Sequence, residues 1–185
     1  MTALASRGQL RASFIRWALF TVPLVVLLGF LSGQLSGSGA DTMWFQSLDK
    51  PSIFPPPMWF GIVWTILYVM MGLSLAMVCA AWGARGRGIA IAFFVLQFAV
   101  NLAWAPVFFA MHDIRTALVV IVVLDVLVLI TIALFWRVRK MAAVLLLPYI
   151  AWILFATVLN WQFLELNPDG GIEGAANGAV ERYEF

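Results

Sequence analysis

Long apolar runs separated by short polar segments recur five times along the chain. Each run is long enough to form the roughly 20 helical residues that cross the hydrocarbon of a bilayer. The runs cover residues 14–35, 58–82, 89–111, 116–136 and 141–164. The pattern therefore predicts an all-α membrane protein. We expect a cytoplasmic segment at residues 1–13 and one bundle of five transmembrane helices at residues 14–166.

Composition supports a lipid-facing surface. Hydrophobic residues make up 64% of the chain and charged residues 11%, against roughly 25% charged residues in a soluble domain. Cys79 is the single cysteine and His112 the single histidine, so an internal disulfide is excluded and a transition-metal site is not expected. A net charge of +2 does not indicate a nucleic-acid partner. We also expect no required cofactor.

The basic residues divide unequally between the two sides of the predicted bundle. Three lie on one side: Lys50, Arg115 and Arg182. Eight lie on the other: Arg7, Arg11, Arg16, Arg85, Arg87, Arg137, Arg139 and Lys140. Basic residues near span ends stay in the cytoplasm. The count therefore places the N-terminus inside and the C-terminus outside, in a multi-pass protein that we assign to a bacterial cytoplasmic membrane.

The first apolar run has a second interpretation. Three arginines, an apolar stretch and the small residues at positions 36–40 also form the pattern of a cleavable signal peptide. Cleavage would leave four spans with both ends outside.

The C-terminal tail at residues 167–185 has a different character. It is rich in Gly, Asn and Glu and has no apolar period, which predicts disorder.

Polar and aromatic residues recur at helical spacing on three spans. On the second, third and fifth spans they are, in order, Trp64, Tyr68, Met71 and Leu75; Gln97, Asn101, Trp104 and Phe108; and Tyr149, Trp152, Ala156, Leu159, Asn160 and Phe163. Amides facing lipid would be unsatisfied, so they should point into the bundle. One interpretation is interhelical ties with ordinary aromatic packing. The combination of stripes favours a cavity for a flat apolar ligand with a few polar groups.

Asp125 lies in the middle of the fourth span, where a charge costs about 2.5–3.5 kcal/mol on insertion scales. A proton or ligand contact is one explanation. A protonated carboxyl bonded to a neighbouring helix, or a carboxyl wetted by a crevice, are the others.

Small residues and prolines mark the helices further. Small residues four apart on the second and third spans allow close helix contact, either within one chain or in a homodimer: Gly72, Ala76 and Ala80, and Ala99 with Ala103. Pro106 and Pro148 each remove a helical hydrogen bond and predict a kink.

The connection between the first and second spans is long and carries aromatics and four prolines, at residues 36–57. An interfacial aromatic belt would explain Trp44 and Phe45. Long loops between packed helices are uncommon unless functional, so we favour a structured loop that forms a lid over the outer mouth of the bundle.

Four blocks of residues in order resemble the TspO/MBR family of tryptophan-rich sensory proteins, which includes the translocator protein or peripheral-type benzodiazepine receptor. The blocks are Trp44-Phe45-x-x-Leu48-x-Lys50-Pro51-x-x-x-Pro55-Pro56, Trp64-x-x-Leu67-Tyr68-x-x-Met71-Gly72, Gln97-x-x-x-Asn101-x-x-Trp104-x-Pro106-x-Phe108-Phe109 and Pro148-Tyr149-x-x-Trp152-x-x-x-Ala156-x-x-Leu159-Asn160.

The resemblance implies a five-helix bundle, often dimeric, with a pocket that binds porphyrins such as protoporphyrin IX and haem, sterols or synthetic ligands. By position, Trp64 and Asn101 would be polar contacts to a ligand. The full candidate binding set is Trp44, Lys50, Pro51, Trp64, Tyr68, Gln97, Asn101, Trp104, Phe108, Tyr149, Trp152, Ala156, Leu159 and Asn160.

The expected function is a receptor or sensor that binds porphyrin and regulates tetrapyrrole metabolism. Alternatives are an enzyme that degrades porphyrin under light, with Trp64 and Trp152 as redox-active indoles, and a transporter of tetrapyrroles or sterols. The sequence carries no nucleophile with base, metal set or nucleotide loop of a conventional enzyme.

Four positions depart from the family. Ile53 and Met58 replace tryptophans found in many relatives. Trp161 and Glu165 break the cholesterol motif of the animal proteins, so high-affinity cholesterol binding is not inferred.

Overall fold

The computed structural model describes residues 6–170, and the regular structure in that range is helical. Five helical spans are long and apolar enough to cross a membrane, which confirms the predicted architecture. The α-helices are α1 Arg7–Leu35, α2 Met43–Ser47, α3 Met58–Cys79, α4 Arg87–Ala105, α5 Ile114–Val138, α6 Lys140–Leu145 and α7 Leu147–Leu166. A π-helix, Pro106–Ala110, extends α4, and α6 with α7 forms the fifth span.

Helix α1 begins well before the predicted start of the first span at residue 14. The Ser6 hydroxyl accepts a hydrogen bond from the Gln9 backbone N–H at 3.3 Å, and the Gln9 side chain accepts one from the Ser6 N–H at 2.9 Å. This reciprocal capping box satisfies two N–H groups that a helix start leaves open. The polar cap, rather than the apolar run, therefore sets the beginning of α1.

Both prolines that predict a kink lie at or next to an interruption of the regular α-helix. At Pro106 the hydrogen bonding changes from α to π, and the Met111 N–H donates to the Pro106 carbonyl at 2.9 Å. Pro148 lies in the first turn of α7, just after the break at Leu146. Proline has no N–H to continue a helix but fits its first turn, so the break falls where Pro148 is tolerated.

Helices α1 and α3 form the most extensive pair in the bundle. A Cβ on Gly72 would lie 2.6 Å from the Cα of Val22, so only glycine permits this approach. The Thr21 hydroxyl donates to the Gly72 carbonyl at 2.8 Å. The Gly72 end of the small-residue ridge is therefore used within one chain, between α1 and α3.

The remaining helices complete the bundle around that pair. Helix α4 packs on α5, α5 packs on α7, and α6 contacts α3 and α5. The Ser74 hydroxyl donates to the Ala142 carbonyl at 2.7 Å, which ties α3 to α6. Phe94 and Phe135 stack with ring centroids 5.9 Å apart, and both belong to the main buried hydrophobic cluster of the bundle.

Residues 36–57 connect α1 to α3 and include α2. Phe45 of α2 is 4% exposed and packs against Phe54, Phe109 and Phe163. Asn167 fixes the far side of the segment: its Oδ1 accepts from the Asp49 N–H at 2.7 Å and its Nδ2 donates to the Asp49 carbonyl at 2.9 Å. The segment is thus held to the C-terminal end of α7. The predicted disordered tail, apart from residues 167–170, lies outside the described residues.

Candidate functional site

A cavity of about 370 Å³ lies between α1, α3, α4, α5 and α7, next to the segment that contains α2. Its volume is in the range of small-molecule sites, about 300–1,000 Å³. Nine of the fourteen predicted binding residues line it: Trp64, Tyr68, Asn101, Trp104, Phe108, Trp152, Ala156, Leu159 and Asn160. The helical stripes read from the sequence therefore meet at one place.

Flat aromatic surfaces form much of the cavity wall. Trp64 stacks on Tyr68 with ring centroids 5.1 Å apart, and Trp104 stacks on Phe108 at 5.0 Å. Phe60 meets Trp152 edge to face at 5.8 Å. Such pairs are stiff and present faces on which a planar apolar molecule can stack.

A chain of hydrogen bonds runs from the cavity into the bundle. The Tyr68 hydroxyl donates to Asn101 Oδ1 at 3.4 Å, and Asn101 Nδ2 donates to the Tyr149 hydroxyl at 3.2 Å. Tyr149 in turn donates to Gln97 Oε1 at 3.1 Å. Only Tyr68 and Asn101 reach the cavity. Gln97 and Tyr149, both predicted as binding residues, lie behind the wall and position Asn101.

Two indole N–H groups in the cavity wall differ in their partners. Trp104 Nε1 donates to Asn160 Oδ1 at 3.1 Å, and Asn160 Nδ2 donates to the Ile114 carbonyl at 3.0 Å. Trp152 Nε1 is buried and has no hydrogen-bond partner among residues 6–170. A buried donor without a partner is costly, and a ligand acceptor that reached this N–H after a turn of the indole would relieve that cost.

Three predicted binding residues belong to the loop rather than to the cavity lining. Lys50 Nζ donates to the carbonyls of residues 45, 46 and 48 at 3.2–3.3 Å, which satisfies the end of α2. Pro51 is buried, and its carbonyl accepts from the Phe54 N–H at 3.0 Å. Trp44 stacks on His112 at 4.3 Å and donates to the Gly170 carbonyl at 3.1 Å. These contacts stabilise the loop.

Helix α1 contributes a wall that the predicted stripes did not include, formed by Gly29, Phe30, Ser32 and Gly33. A Cβ on Gly29 would overlap the ring of Tyr68, so the glycine makes room for the tyrosine. The Ser32 hydroxyl donates to the Leu102 carbonyl at 2.6 Å and joins α1 to α4. The available signal was the pair of glycines four residues apart. Phenylalanines outside the candidate binding set also complete the wall, and of these only Phe163 lay on a predicted stripe: Phe45, Phe54, Phe60, Phe109 and Phe163.

Asp125 lies behind the cavity wall. Its neighbour Leu124 lines the cavity, whereas Asp125 accepts a hydrogen bond from the Thr157 hydroxyl on α7 at 2.8 Å. The structure thus gives the carboxyl a partner on a neighbouring helix, one of the arrangements considered for it.

At the loop end of the bundle, Asp113 caps α5. Its carboxylate accepts from the Thr116 hydroxyl at 2.6 Å and from the Thr116 N–H at 2.9 Å. The hydrogen bond from the Thr116 side chain is the main cause of a lowered pKa for Asp113. The lowered pKa favours the ionised form of Asp113, which has Arg115 close enough to contribute and is adjacent in sequence to His112 of the Trp44–His112 stack.

These observations define a class of protein, a membrane bundle of five helical spans that encloses an aromatic cavity beside a proline-rich connection. The chain belongs to the TspO/MBR family, whose sequence model matches residues 21–166. It is accordingly a multi-pass integral membrane protein.

Named relatives span bacteria and animals. The Tryptophan-rich protein TspO of Chlorobaculum tepidum is 37% identical over 80% of this chain and 93% of its own length. Protein CrtK of Rhodobacter capsulatus is 36% identical over 74% of this chain and 84% of its own. The human Translocator protein is 33% identical over 72% and 80%, respectively.

Proposed function

We propose that the protein is a membrane receptor or sensor that binds a porphyrin, such as protoporphyrin IX or haem, in the aromatic cavity and regulates tetrapyrrole metabolism. The observation that carries this proposal is the meeting of two stacked aromatic pairs, Trp64–Tyr68 and Trp104–Phe108, in the wall of one cavity. A relative from Cereibacter sphaeroides, 36% identical over 82% of this chain, is named Tryptophan-rich sensory protein, which supports the sensory role.

The wall supplies two kinds of contact for such a ligand. The macrocycle would stack on Trp64 and Trp104, whose rings are already fixed by aromatic neighbours. An acceptor oxygen on the ligand would take the Trp152 N–H, which has no partner among residues 6–170 and which a turn of the indole would bring to the cavity. The Lys50 ammonium donates to three backbone carbonyls and is therefore occupied within the loop. In this conformation the affinity for porphyrin rests on stacking and on neutral hydrogen-bond donors.

The test is a dark titration of the purified protein with protoporphyrin IX, followed by quenching of tryptophan fluorescence. Ala156 lines the cavity, whereas Val158 on the same helix is 43% exposed on the outer face. A156F fills the cavity and should weaken binding at least tenfold, while V158F adds the same ring outside and should leave it unchanged. Equal affinity of the two variants would contradict the proposal, as would the absence of saturable binding.

Light-dependent degradation of porphyrin is the second candidate function. It is favoured by the position of Trp64 and Trp152 in the wall of one cavity, where both indoles would meet a bound macrocycle. Illumination of the saturated complex distinguishes the two functions. Protein-dependent loss of the porphyrin absorption band that W152F slows would support the enzyme, and dark binding without accelerated loss would support the receptor.

We further propose a cytoplasmic membrane location with the N-terminus inside, and a homodimer formed through α4. Ala99 and Ala103 are exposed on that helix, whereas Gly72 is used within the chain. Replacing both alanines with leucine should reduce the dimer fraction measured by cross-linking in membranes. An unchanged dimer would place the interface elsewhere.

A further inference from the structure

A second cavity, also of about 370 Å³, opens at the end of the bundle opposite α2. Four residues of α1 and one residue beyond α3 line it: Ser13, Arg16, Trp17, Phe20 and Trp82. We call it the arginine groove. The proposed porphyrin function uses none of these residues, so the groove requires an explanation of its own.

The groove lies at the depth of a membrane interface. Helix α1 ends at Leu35, and about 20 residues counted back from there, the length that crosses the hydrocarbon, reach Arg16. Trp82 follows the end of α3 at Cys79 and is 68% exposed. Tryptophan and arginine both favour the boundary between acyl chains and headgroups.

The basic groups at this end have no acidic partner among residues 6–170. The acidic residues of that range lie at the end of the bundle that carries α2, except Asp125 in mid-span. The basic side chains near the groove end are Arg11, Arg16, Arg85, Arg87, Arg137, Arg139 and Lys140. Their counter-charge must therefore come from outside this part of the chain.

Arg87 builds the groove without being available to a ligand. Its guanidinium donates to the carbonyls of Val78 and Cys79 at 2.8–3.2 Å and lies 4.4 Å from the ring of Trp82. These bonds satisfy carbonyls at the end of α3 and hold the indole in place. Arg16, by contrast, is exposed at the rim of the groove.

We propose that the arginine groove binds one anionic phospholipid. The lipid phosphate would accept hydrogen bonds from the Arg16 guanidinium and the Ser13 hydroxyl, and the upper part of an acyl chain would pack on Trp17, Phe20 and Trp82. Arginine presents two parallel N–H donors that match a phosphate. Trp17 and Trp82, with ring centroids 6.5 Å apart, provide the apolar surface below it.

An anionic lipid fits better than a zwitterionic one because of the surrounding charge. The headgroup of phosphatidylcholine would bring its own cation toward the uncompensated arginines, whereas phosphatidylglycerol adds none. Each basic residue near an anionic lipid surface contributes about 1 kcal/mol. Loss of one such contact corresponds to about a fivefold change in affinity.

The experiment measures quenching of tryptophan fluorescence in the full chain, in detergent micelles, by phosphatidylglycerol or phosphatidylcholine with brominated acyl chains. The wild-type protein should prefer phosphatidylglycerol. R16Q should lower that preference about fivefold, and R16K should lower it less because the charge remains. R11Q, on the same helix but outside the groove, is the matched control and should retain the preference.

W82F identifies the signal of the groove, because it should reduce the part of the quenching that is selective for phosphatidylglycerol, with Trp17 supplying the remainder. Equal losses in R16Q and R11Q would show diffuse attraction and overturn the proposal, and so would a wild-type protein without preference. Displacement of the lipid by glycerol phosphate alone would also overturn it, since the acyl chain would then contribute nothing. Dark porphyrin binding by R16Q checks that the variant is folded.

Discussion

The two halves of the bundle use small residues for opposite purposes. In the half away from α2, Gly72 and Ala142 let neighbouring helices approach, and Phe94 stacks on Phe135 in a dense core. In the half next to α2, Gly29 faces the ring of Tyr68 without bringing the helices together, and a cavity remains. A small residue that faces the backbone of a neighbouring helix lets the two helices pack closely. A small residue that faces a side chain makes room for an aromatic ring instead.

The largest expected effect comes from a substitution in the half of the bundle away from α2. G72A places a methyl group against the backbone of Val22, which cannot yield as a side chain does. We expect a loss of about 1–3 kcal/mol of stability, the usual cost of overpacking, seen as a lower midpoint of thermal unfolding in detergent. A Cβ on Gly61 of the same helix meets nothing within 4 Å, so G61A should keep or raise the midpoint. Equal midpoints would contradict the close contact of α1 and α3.

The corresponding glycine substitution in the half next to α2 should affect ligand binding more than stability. G29A pushes the ring of Tyr68 aside and weakens its hydrogen bond to Asn101. A lost hydrogen bond of about 1 kcal/mol predicts porphyrin affinity reduced about fivefold in a dark titration. Gly8 lies on the same helix, where a Cβ meets only the Ser6 hydroxyl, at 3.8 Å. G8A is therefore the control. A similar loss of affinity in G8A would show that the effect of G29A does not arise from Tyr68.

The most local effect should come from the connection that borders the cavity. N167A removes both hydrogen bonds between the Asn167 side chain and the Asp49 backbone, which we expect to cost about 1–2 kcal/mol locally. Hydrogen exchange should become faster at the Asp49 amide and in α2, while the amides of α5 exchange as before. Unchanged exchange at Asp49 would show that other contacts alone hold the segment.

Much of this architecture was predictable because lipid imposes simple rules. Twenty-residue apolar runs gave the five spans, and the cost of a bare amide placed Asn101 and Asn160 inside. A helical stripe, however, shows which way a side chain points and not whether it reaches the cavity. Gln97 and Tyr149 share the stripes of Asn101 and Trp152 but lie behind the cavity wall.

Two other features depend on distant parts of the chain. Lys50 acquires its role only when the carbonyls at the end of α2 turn toward it. The role of Trp44 depends on Gly170, which is 126 residues away. The contribution of α1 was not predicted, because a glycine has no side chain that marks a face of a helix in the sequence. In the bundle, Gly29 provides space for the ring of Tyr68.

The central claim is that the cavity binds porphyrin with the Trp152 indole in its wall. The most direct measurement compares the dark affinity for protoporphyrin IX of W152F with that of W161F, which removes a tryptophan from the same helix at a position 50% exposed on the outside. The expected result is about tenfold weaker binding by W152F, the value of one hydrogen bond with its stacking surface, and wild-type binding by W161F. Equal affinities for the two variants would contradict the account.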